Sequence, residues 1–365
     1  MRYIYENKNW PHFYWETDEI LSLLLQLKRA QGFLLGKMEH LGFEIRNHAL
    51  LQVLTENVIK SSEIEGEIFN REQVRSSVAK RLRIDQKISD LSSNYHIDGA
   101  VDVLADATQN YKEPITHERL FRWHAALFPT GYSGMFKIEV GKYKTDMHDP
   151  MQVISGYAGA EKIHYEAPNA TILSAEMDNF LEYVQNNNDD DFIKAAVTHL
   201  WFLALHPFED GNGRIARALT EIFLSRSDDC NFRFYSMCSQ IMKYRHEYYD
   251  ILERTQAGSM DITNWVYWFL QNLLQAIANS DVILKKVIDI SLFWSKHQSI
   301  NFNERQQKML QIFLDNFRGN LTTTKWAKLC KCSQDTATRD INELLEKGIL
   351  EQEGTAKNTH YVLKN

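Results

Sequence analysis

The sequence predicts a mainly α-helical protein, with a β-hairpin set into the helices and a small mixed module at the C-terminal end. Three observations predict this. Apolar residues recur at three-and-four spacing over much of the chain. Five glycines punctuate residues 131–159. After residue 303 the pattern changes to three short helices followed by two strands.

The first helical stretch covers residues 16–83. Ile20, Leu23, Leu24 and Leu27 fall on one helix face, as do Leu50, Leu51, Leu54 and Val58, and Gly66 stands where the second run can end. Residues 90–130 read as two further helices. Gly131, Gly134, Gly141, Gly156 and Gly159 then break the chain into short segments, and Gln152–Ser155 with Lys162–Tyr165 reads as a hairpin. Helices resume at 171–187, 190–205, 213–225, 240–256 and 261–296. In the last module Glu304–Phe317 is amphipathic, Thr322–Leu329 is short, and Ser333 caps a helix reaching Leu345. Gly348 ends it, and Ile349–Glu353 and Thr359–Leu363 make two strands around Gly354. Helix, helix, helix, hairpin is the winged-helix order. The expected division is 1–90, 91–300 and 301–365.

Composition narrows the function. The 365 residues are 44% apolar and 24% charged, ordinary for a soluble globular chain. A net charge of −7, from 41 basic and 48 acidic residues, speaks against a protein built to coat nucleic acid. Met1–Trp15 lacks the pattern of a signal peptide, and Ala195–Leu205 and Trp265–Leu274 are too short to cross a bilayer. Cys230, Cys238, Cys330 and Cys332 do not form a disulfide framework, so a cytoplasmic protein with reduced cysteines is expected. Trp10, His12, Phe13 and Trp15 read as a packing cluster. His199, His206 and Glu209 lack the spacing of a zinc site.

Residues 206–217 read His-Pro-Phe-Glu-Asp-Gly-Asn-Gly-Arg-Ile-Ala-Arg. His206 follows a strongly apolar helix and is a candidate general base. Gly211, Asn212 and Gly213 make a turn that opens the next helix, and such a turn aims backbone N–H groups and the helix dipole at one anion. Arg214 and Arg217 share a helix face and carry forks that match phosphate oxygens. Asp210 is a hard oxygen ligand of the kind that holds Mg²⁺ together with substrate phosphates. The set points to phosphoryl or nucleotidyl transfer to a hydroxyl.

This segment resembles the signature of the Fic family at every fixed position, and the resemblance extends to the hairpin before it and the tyrosines after it. It implies a Fic-type helical core with a hairpin flap, and AMP transfer from ATP to a Ser, Thr or Tyr hydroxyl of a protein. His206 would deprotonate that hydroxyl and Asp210 would hold Mg²⁺. Gly211, Asn212, Gly213, Arg214 and Arg217 would bind phosphates. Ile163 and His164 would belong to the flap that aligns the protein substrate, Tyr248 and Tyr249 would lie near the nucleotide, and Gln256 would stand at the adenosine. Kinase-like members carry Lys where this chain has Gly213, so AMP transfer is favoured over phosphate transfer.

The segment Ser-Ser-Glu-Ile-Glu-Gly at 61–66 resembles the inhibitory motif of the same family through Ser61, Glu65 and Gly66. The resemblance implies that Glu65 occupies Arg217 in cis and turns ATP away from productive alignment. In some relatives this Glu also helps to remove AMP from the target. The resemblance also admits a homodimer that tunes the brake. A second reading is a winged-helix transcriptional regulator whose Fic domain senses nucleotide. Against DNA, the third helix of the module carries Asp335, Asp340, Glu343 and Glu346 beside Arg339, which favours a docking or dimer role.

Overall fold

The computed structural model describes residues 3–39, 41–84, 94–145, 151–155, 162–231, 233–317, 319–355 and 358–364. Gly156 and Gly159 lie outside the described residues. A short 3-10 turn at Ile4–Glu6 leads into α1 (Thr17–Glu39), α2 (Phe43–Ile64), α3 (Arg71–Leu82), α4 (Tyr95–Gln109) and α5 (His117–Leu127). Two small antiparallel pairs follow, β1 (Tyr132–Ser133) with β2 (Phe136–Lys137) and β3 (Gln152–Ser155) with β4 (Lys162–Glu166). Then come α6 (Ala170–Asn186), α7 (Asp191–Leu205), α8 (Asn212–Asp228), α9 (Met237–Lys243), α10 (Arg245–Gln256), α11 (Thr263–Ala278) and α12 (Ser280–Lys296). The last elements are α13 (Glu304–Asn316), α14 (Thr323–Cys330), α15 (Gln334–Glu346), β5 (Leu350–Glu353) and β6 (His360–Leu363). The fold is mainly α with short antiparallel strand pairs and a helical core, as the sequence indicates. No helix among the described residues is long and apolar enough to cross a membrane.

Two compact units divide the chain, Met1–Lys285 and Lys286–Asn365. In the first, α7 is buried on every face from Phe192 to Leu205, including the polar Lys194, Thr198 and His199, and forms the centre. It lies against α8, with α4 and α5 on the far side of α8 and α6 and α11 against α7. The predicted faces of α1 and α2 are the packed ones: Ile20, Leu23, Leu27, Leu50, Leu51, Leu54 and Val58 are all buried. The aromatic cluster packs too, with Trp10 and Phe13 both edge-on to Trp201. The 240–256 stretch proves to be two helices, and the stretch 261–296 breaks at Asn279.

The end of α2 has a defined stereochemistry. Gly66 takes a φ of +87°, its N–H donates to Glu63 O at 3.0 Å, and the Glu67 N–H donates to Ser62 O at 3.0 Å. This pair of bonds is the Schellman closure, which satisfies helix-end carbonyls and requires a residue free to turn left-handed. Arg245 Nε and the Tyr249 hydroxyl cover the next carbonyl, Ile64 O, at 2.9 and 3.2 Å.

In the second unit α13, α14 and α15 enclose Met309, Trp326, Ile341 and Leu344, and β5 pairs with β6. The acids of α15 are not all on its outer face. Asp340 is buried and takes both Arg305 Nε and Nη2, at 2.7 and 2.9 Å, while Glu343 bonds Lys347 and Gln306. These carboxylates hold α15 to α13 and to its own last turn. The exposed positions are Gln334, Asp335, Thr338, Arg339, Asn342 and Glu346.

The α4–α5 contact is close enough to need a glycine. A Cβ on Gly99 would stand 1.7 Å from Ala126 O. Gly99→Ala is therefore expected to destabilise the first unit by about 1–3 kcal/mol, the usual cost of overpacking, despite the better helix propensity of Ala. Urea denaturation checks this, and an unchanged midpoint would contradict the packing.

Candidate active site

The site forms where α7 ends and α8 begins. His206 closes α7 in the left-handed region, with φ +47° and its N–H on Phe202 O at 2.9 Å. Pro207 follows and stops the helix. A non-glycine residue in this conformation is uncommon, and it swings the imidazole out of the helix axis toward the loop. His206 Nδ1 lies 3.4 Å from Leu203 O. Placing the proton on Nδ1 leaves Nε2 as an acceptor. The residue is half-buried and its charged form is disfavoured. Burial, and then the charge of Lys144, lowers its pKa to about 4, while Glu65 and Asp210 act weakly in the other direction. The ring is a neutral base at neutral pH.

The loop is fixed by its own residues. Asn212 bonds Phe208 twice, accepting from its N–H at 2.9 Å and donating to its O at 2.7 Å. Its side chain is thereby committed to the turn, and its contribution to an anion is its backbone. Gly211 has φ +82°, and a Cβ there would sit 2.8 Å from the Phe128 ring. With Gly211 as N-cap, no side chain caps the first turn of α8, so the amides there remain available to a ligand. Asp210 accepts from Gly211 N–H at 2.5 Å and from the Ser133 hydroxyl, which comes from β1. Glu139 N–H reaches Glu209 Oε2 and Lys144 N–H reaches Pro207 O, both at 2.9 Å, so residues 139–144 clamp the outer side of the loop.

Two guanidinium groups face this turn. Arg217 is 1% exposed. Its Nε donates to Ser61 Oγ at 2.9 Å, and its Nη2 to Ser61 O at 2.9 Å and to Glu65 Oε1 at 2.7 Å. Its Nη1 is buried with no hydrogen-bond partner and lies 3.1 Å from where a Cβ on Gly213 would be. Burial works against the charge on Arg217, but Glu65 and Tyr248 beside it raise its pKa, and the net direction is upward. Arg214 donates from Nη1 to Glu67 Oε2 at 3.0 Å and stacks on the Phe128 ring at 4.9 Å.

The remaining predicted residues divide. Tyr248 is buried and its hydroxyl meets His199 Nε2 at 2.8 Å, behind Arg217 rather than in open space. Tyr249 is partly exposed and covers the end of α2. Gln256 ends α10 and is buried. In the hairpin the register slips between Val153 and Ile154, which leaves His164 as the extra residue of β4. That bulge turns His164 to Glu253 on α10, at 2.7 Å. Ile163 faces outward at 37% exposure. Tyr165 is buried and donates to Ala204 O at 2.7 Å, pinning β4 beside the end of α7. Among the described residues β3 and β4 pair only with each other, so the sheet keeps unpaired edges.

Among the described residues no group of three or more His, Cys, Asp or Glu side chains is placed to hold a metal ion. Asp210 supplies one carboxylate at the turn, with Glu209 engaged by Glu139 N–H and Glu65 by Arg217. The Asp210 donor suits Mg²⁺ only if most of the ion's shell comes from water and phosphate. A buried guanidinium N–H, uncapped helix amides and a neutral imidazole gathered around one turn are groups that can take a polyphosphate and accept a proton beside it.

Residues 114–224 match the model of the Fic/DOC family. Residues 3–84 match a Domain of unknown function (DUF4172), and 305–355 match a DeoR-like helix-turn-helix domain. The chain is 26% identical over 209 residues to Protein adenylyltransferase Fic of Aedes aegypti, covering 56% of this chain and 38% of that protein. It is 26% identical over 150 residues to a probable protein adenylyltransferase of Aquifex aeolicus, covering 41% and 40%. The match thus spans about two fifths of each curated relative. Among solved structures, a Fic family protein from Desulfovibrio desulfuricans superposes with a TM-score of 0.55 at 17% identity, over 96% of this chain and 97% of that one. Fic-1 from C. elegans superposes with a TM-score of 0.50 at 17% identity, over 75% and 74%.

Sequence reading did not single out Glu67, Ser133, Lys144 or Glu253. Glu67 stands one residue beyond the inhibitory segment. Ser133 and Lys144 come from a region with no periodicity, and nothing in the order of residues announces their approach to the loop.

Gly213 links the two halves of the site. A Cβ there would come within 2.1 Å of Glu65 Oε1. Gly213→Ala should cost about 1–3 kcal/mol by overpacking. In a Glu65→Gly background that collision is gone and only the contact with Arg217 Nη1 at 3.1 Å remains, so the same change should cost clearly less. Thermal unfolding of the four proteins checks the cycle; equal effects in both backgrounds would contradict it.

Proposed function

We propose that the chain transfers AMP from ATP to a Ser, Thr or Tyr hydroxyl of a protein, and that Glu65 holds this activity off. The observation that carries the reading is Arg217: a buried guanidinium with Nη1 unpaired over the helix-opening turn and Nη2 on Glu65 at 2.7 Å. A buried donor without a partner is costly, and an anion at the turn would satisfy it. The curated relatives named as adenylyltransferases support AMP as the transferred group.

In this reading the turn Gly211–Gly213, through the amides of Asn212 and Gly213, takes the β- and γ-phosphates with Arg214 and Arg217. Asp210 would hold Mg²⁺ brought by the nucleotide, and that ion would offset phosphate charge. His206 Nε2 accepts the proton of the hydroxyl as its oxygen bonds to the α-phosphorus. The bond from that phosphorus to the bridging oxygen breaks, and pyrophosphate leaves. The open edge of the hairpin at Ile163 aligns the target through main-chain bonds. While Glu65 occupies Arg217, the γ-phosphate lacks its fork and the α-phosphate is displaced. A shift of about 1 Å costs roughly 10²-fold in rate.

Glu65→Gly should raise self-labelling by ATP about 10²-fold, and adding His206→Ala should abolish it. Intact-mass analysis after incubation with ATP, GTP, UTP or CTP identifies the group and its nucleotide. No gain on removing Glu65 would refute the brake.

The second unit supports a separate role in DNA contact. With Asp340 turned inward onto Arg305, the outer face of α15 offers Gln334, Thr338, Arg339 and Asn342, side chains that suit base edges and phosphates, beside the two exposed acids Asp335 and Glu346. A salt-dependent gel shift by the full chain is expected. Absence of any shift at low salt favours docking to protein.

A further inference from the structure

The turn that presents Glu65 also presents a second carboxylate to the phosphate site. The Schellman closure fixes three residues in succession. Glu65 is the C-cap of α2, Gly66 turns left-handed, and Glu67 is folded back with its N–H on Ser62 O at 3.0 Å. Its carboxylate then lands on Arg214, 147 positions away in sequence, at 3.0 Å from Nη1. This is not a local pair of the kind that decorates any helix surface. It joins the end of α2 to the first turn of α8, and it does so on the other guanidinium of the same anion site.

The receiving side is equally constrained. Arg214 is 8% exposed, its stem and head lie over the Phe128 ring, and its Nε is buried with no hydrogen-bond partner. It has little freedom to offer Glu67 one N–H and a phosphate another without moving. Glu67 is 43% exposed, so water competes for it and it can be displaced. Arg217 with Glu65 and Arg214 with Glu67 therefore make two guanidinium–carboxylate pairs side by side. An incoming polyphosphate meets two carboxylates, not one.

We propose that Glu67 is a second carboxylate gate, closing Arg214 as Glu65 closes Arg217. The gate rests on the phosphate-binding part of the function proposed above, but not on AMP transfer itself. Gly66 serves both carboxylates, because its left-handed turn is what brings Glu67 back over the site. Removing Glu65 alone would then leave the site half closed, and the two substitutions together would open it further than either does.

The test uses the full chain and two probes, inorganic tripolyphosphate and adenosine, with binding followed by calorimetry at low salt. Glu67→Gln keeps shape and removes charge at a half-exposed position. It should bind tripolyphosphate about threefold more tightly, the scale of a partly exposed ion pair. The gain should shrink at high salt and vanish when Arg214 is also changed to Ala. Adenosine affinity should not change. Equal tripolyphosphate affinity in parent and variant, including no binding in either, overturns the gate. So does a gain that survives Arg214→Ala or appears equally with adenosine. AMP transfer by Glu65→Gly is assayed in parallel. If transfer is absent while the tripolyphosphate gain persists, the gate stands and the transfer reading falls.

Discussion

A guanidinium buried to 1% exposure must be matched by anions, and for Arg217 the only side-chain carboxylate in hydrogen bond with it among the described residues is Glu65. Three of its donors' bonds run to Ser61 and Glu65, all at the end of α2, while Nη1 is left without a partner. Arg217 is thus tied to the end of α2 on one side, while on the other its Nη1 is buried near Gly213 without a hydrogen-bond partner of good geometry. A buried charge of this kind is stable only while a counter-charge remains close. In the function proposed above, Glu65 and a bound phosphate would be alternative ways of meeting the same need, and their exchange would be the switch.

The scaffold holds the two sides of that choice at the required distance. On one side α7 and α8 are almost wholly buried, and the loop between them is locked by Asn212 onto Phe208 and by residues 139–144 from outside. On the other, α2 is placed by its packed face and finished by a turn that only a residue with positive φ makes readily. Gly213 lets the two meet, since any Cβ there would strike the Glu65 carboxylate. The glycines of 206–217 therefore serve different ends: Gly211 admits the Phe128 ring, and Gly213 admits the Glu65 carboxylate.

Much of this was legible in the sequence. The helical faces of α1 and α2 follow from three-and-four spacing, because burial of one stripe is what makes a helix amphipathic. His206, Asp210, Gly211, Gly213, Arg214 and Arg217 lie within twelve residues, so local order alone brings them together. Glu65 and Arg217 are 152 residues apart, and only resemblance joined them before the structure did. What was not legible depends on tertiary approach. The Asn212 side chain closes the loop, Tyr248 turns inward to His199, and Asp340 turns inward to Arg305, and none of these directions is encoded in periodicity. Asp340 is the clearest case, since counting acids along α15 treats as exposed a carboxylate that is buried.

The central claim is that Glu65 and a phosphate compete for Arg217, and a thermodynamic cycle on that pair tests it most directly. The affinity for a non-hydrolysable ATP analogue would be measured in four proteins: the parent, Glu65→Gly, Arg217→Ala, and the double variant. Competition predicts that removing Glu65 tightens binding when Arg217 is present and has no effect when it is absent. An equal gain in both backgrounds would mean that Glu65 acts through bulk charge or steric blockage, and the account built on Arg217 would be wrong.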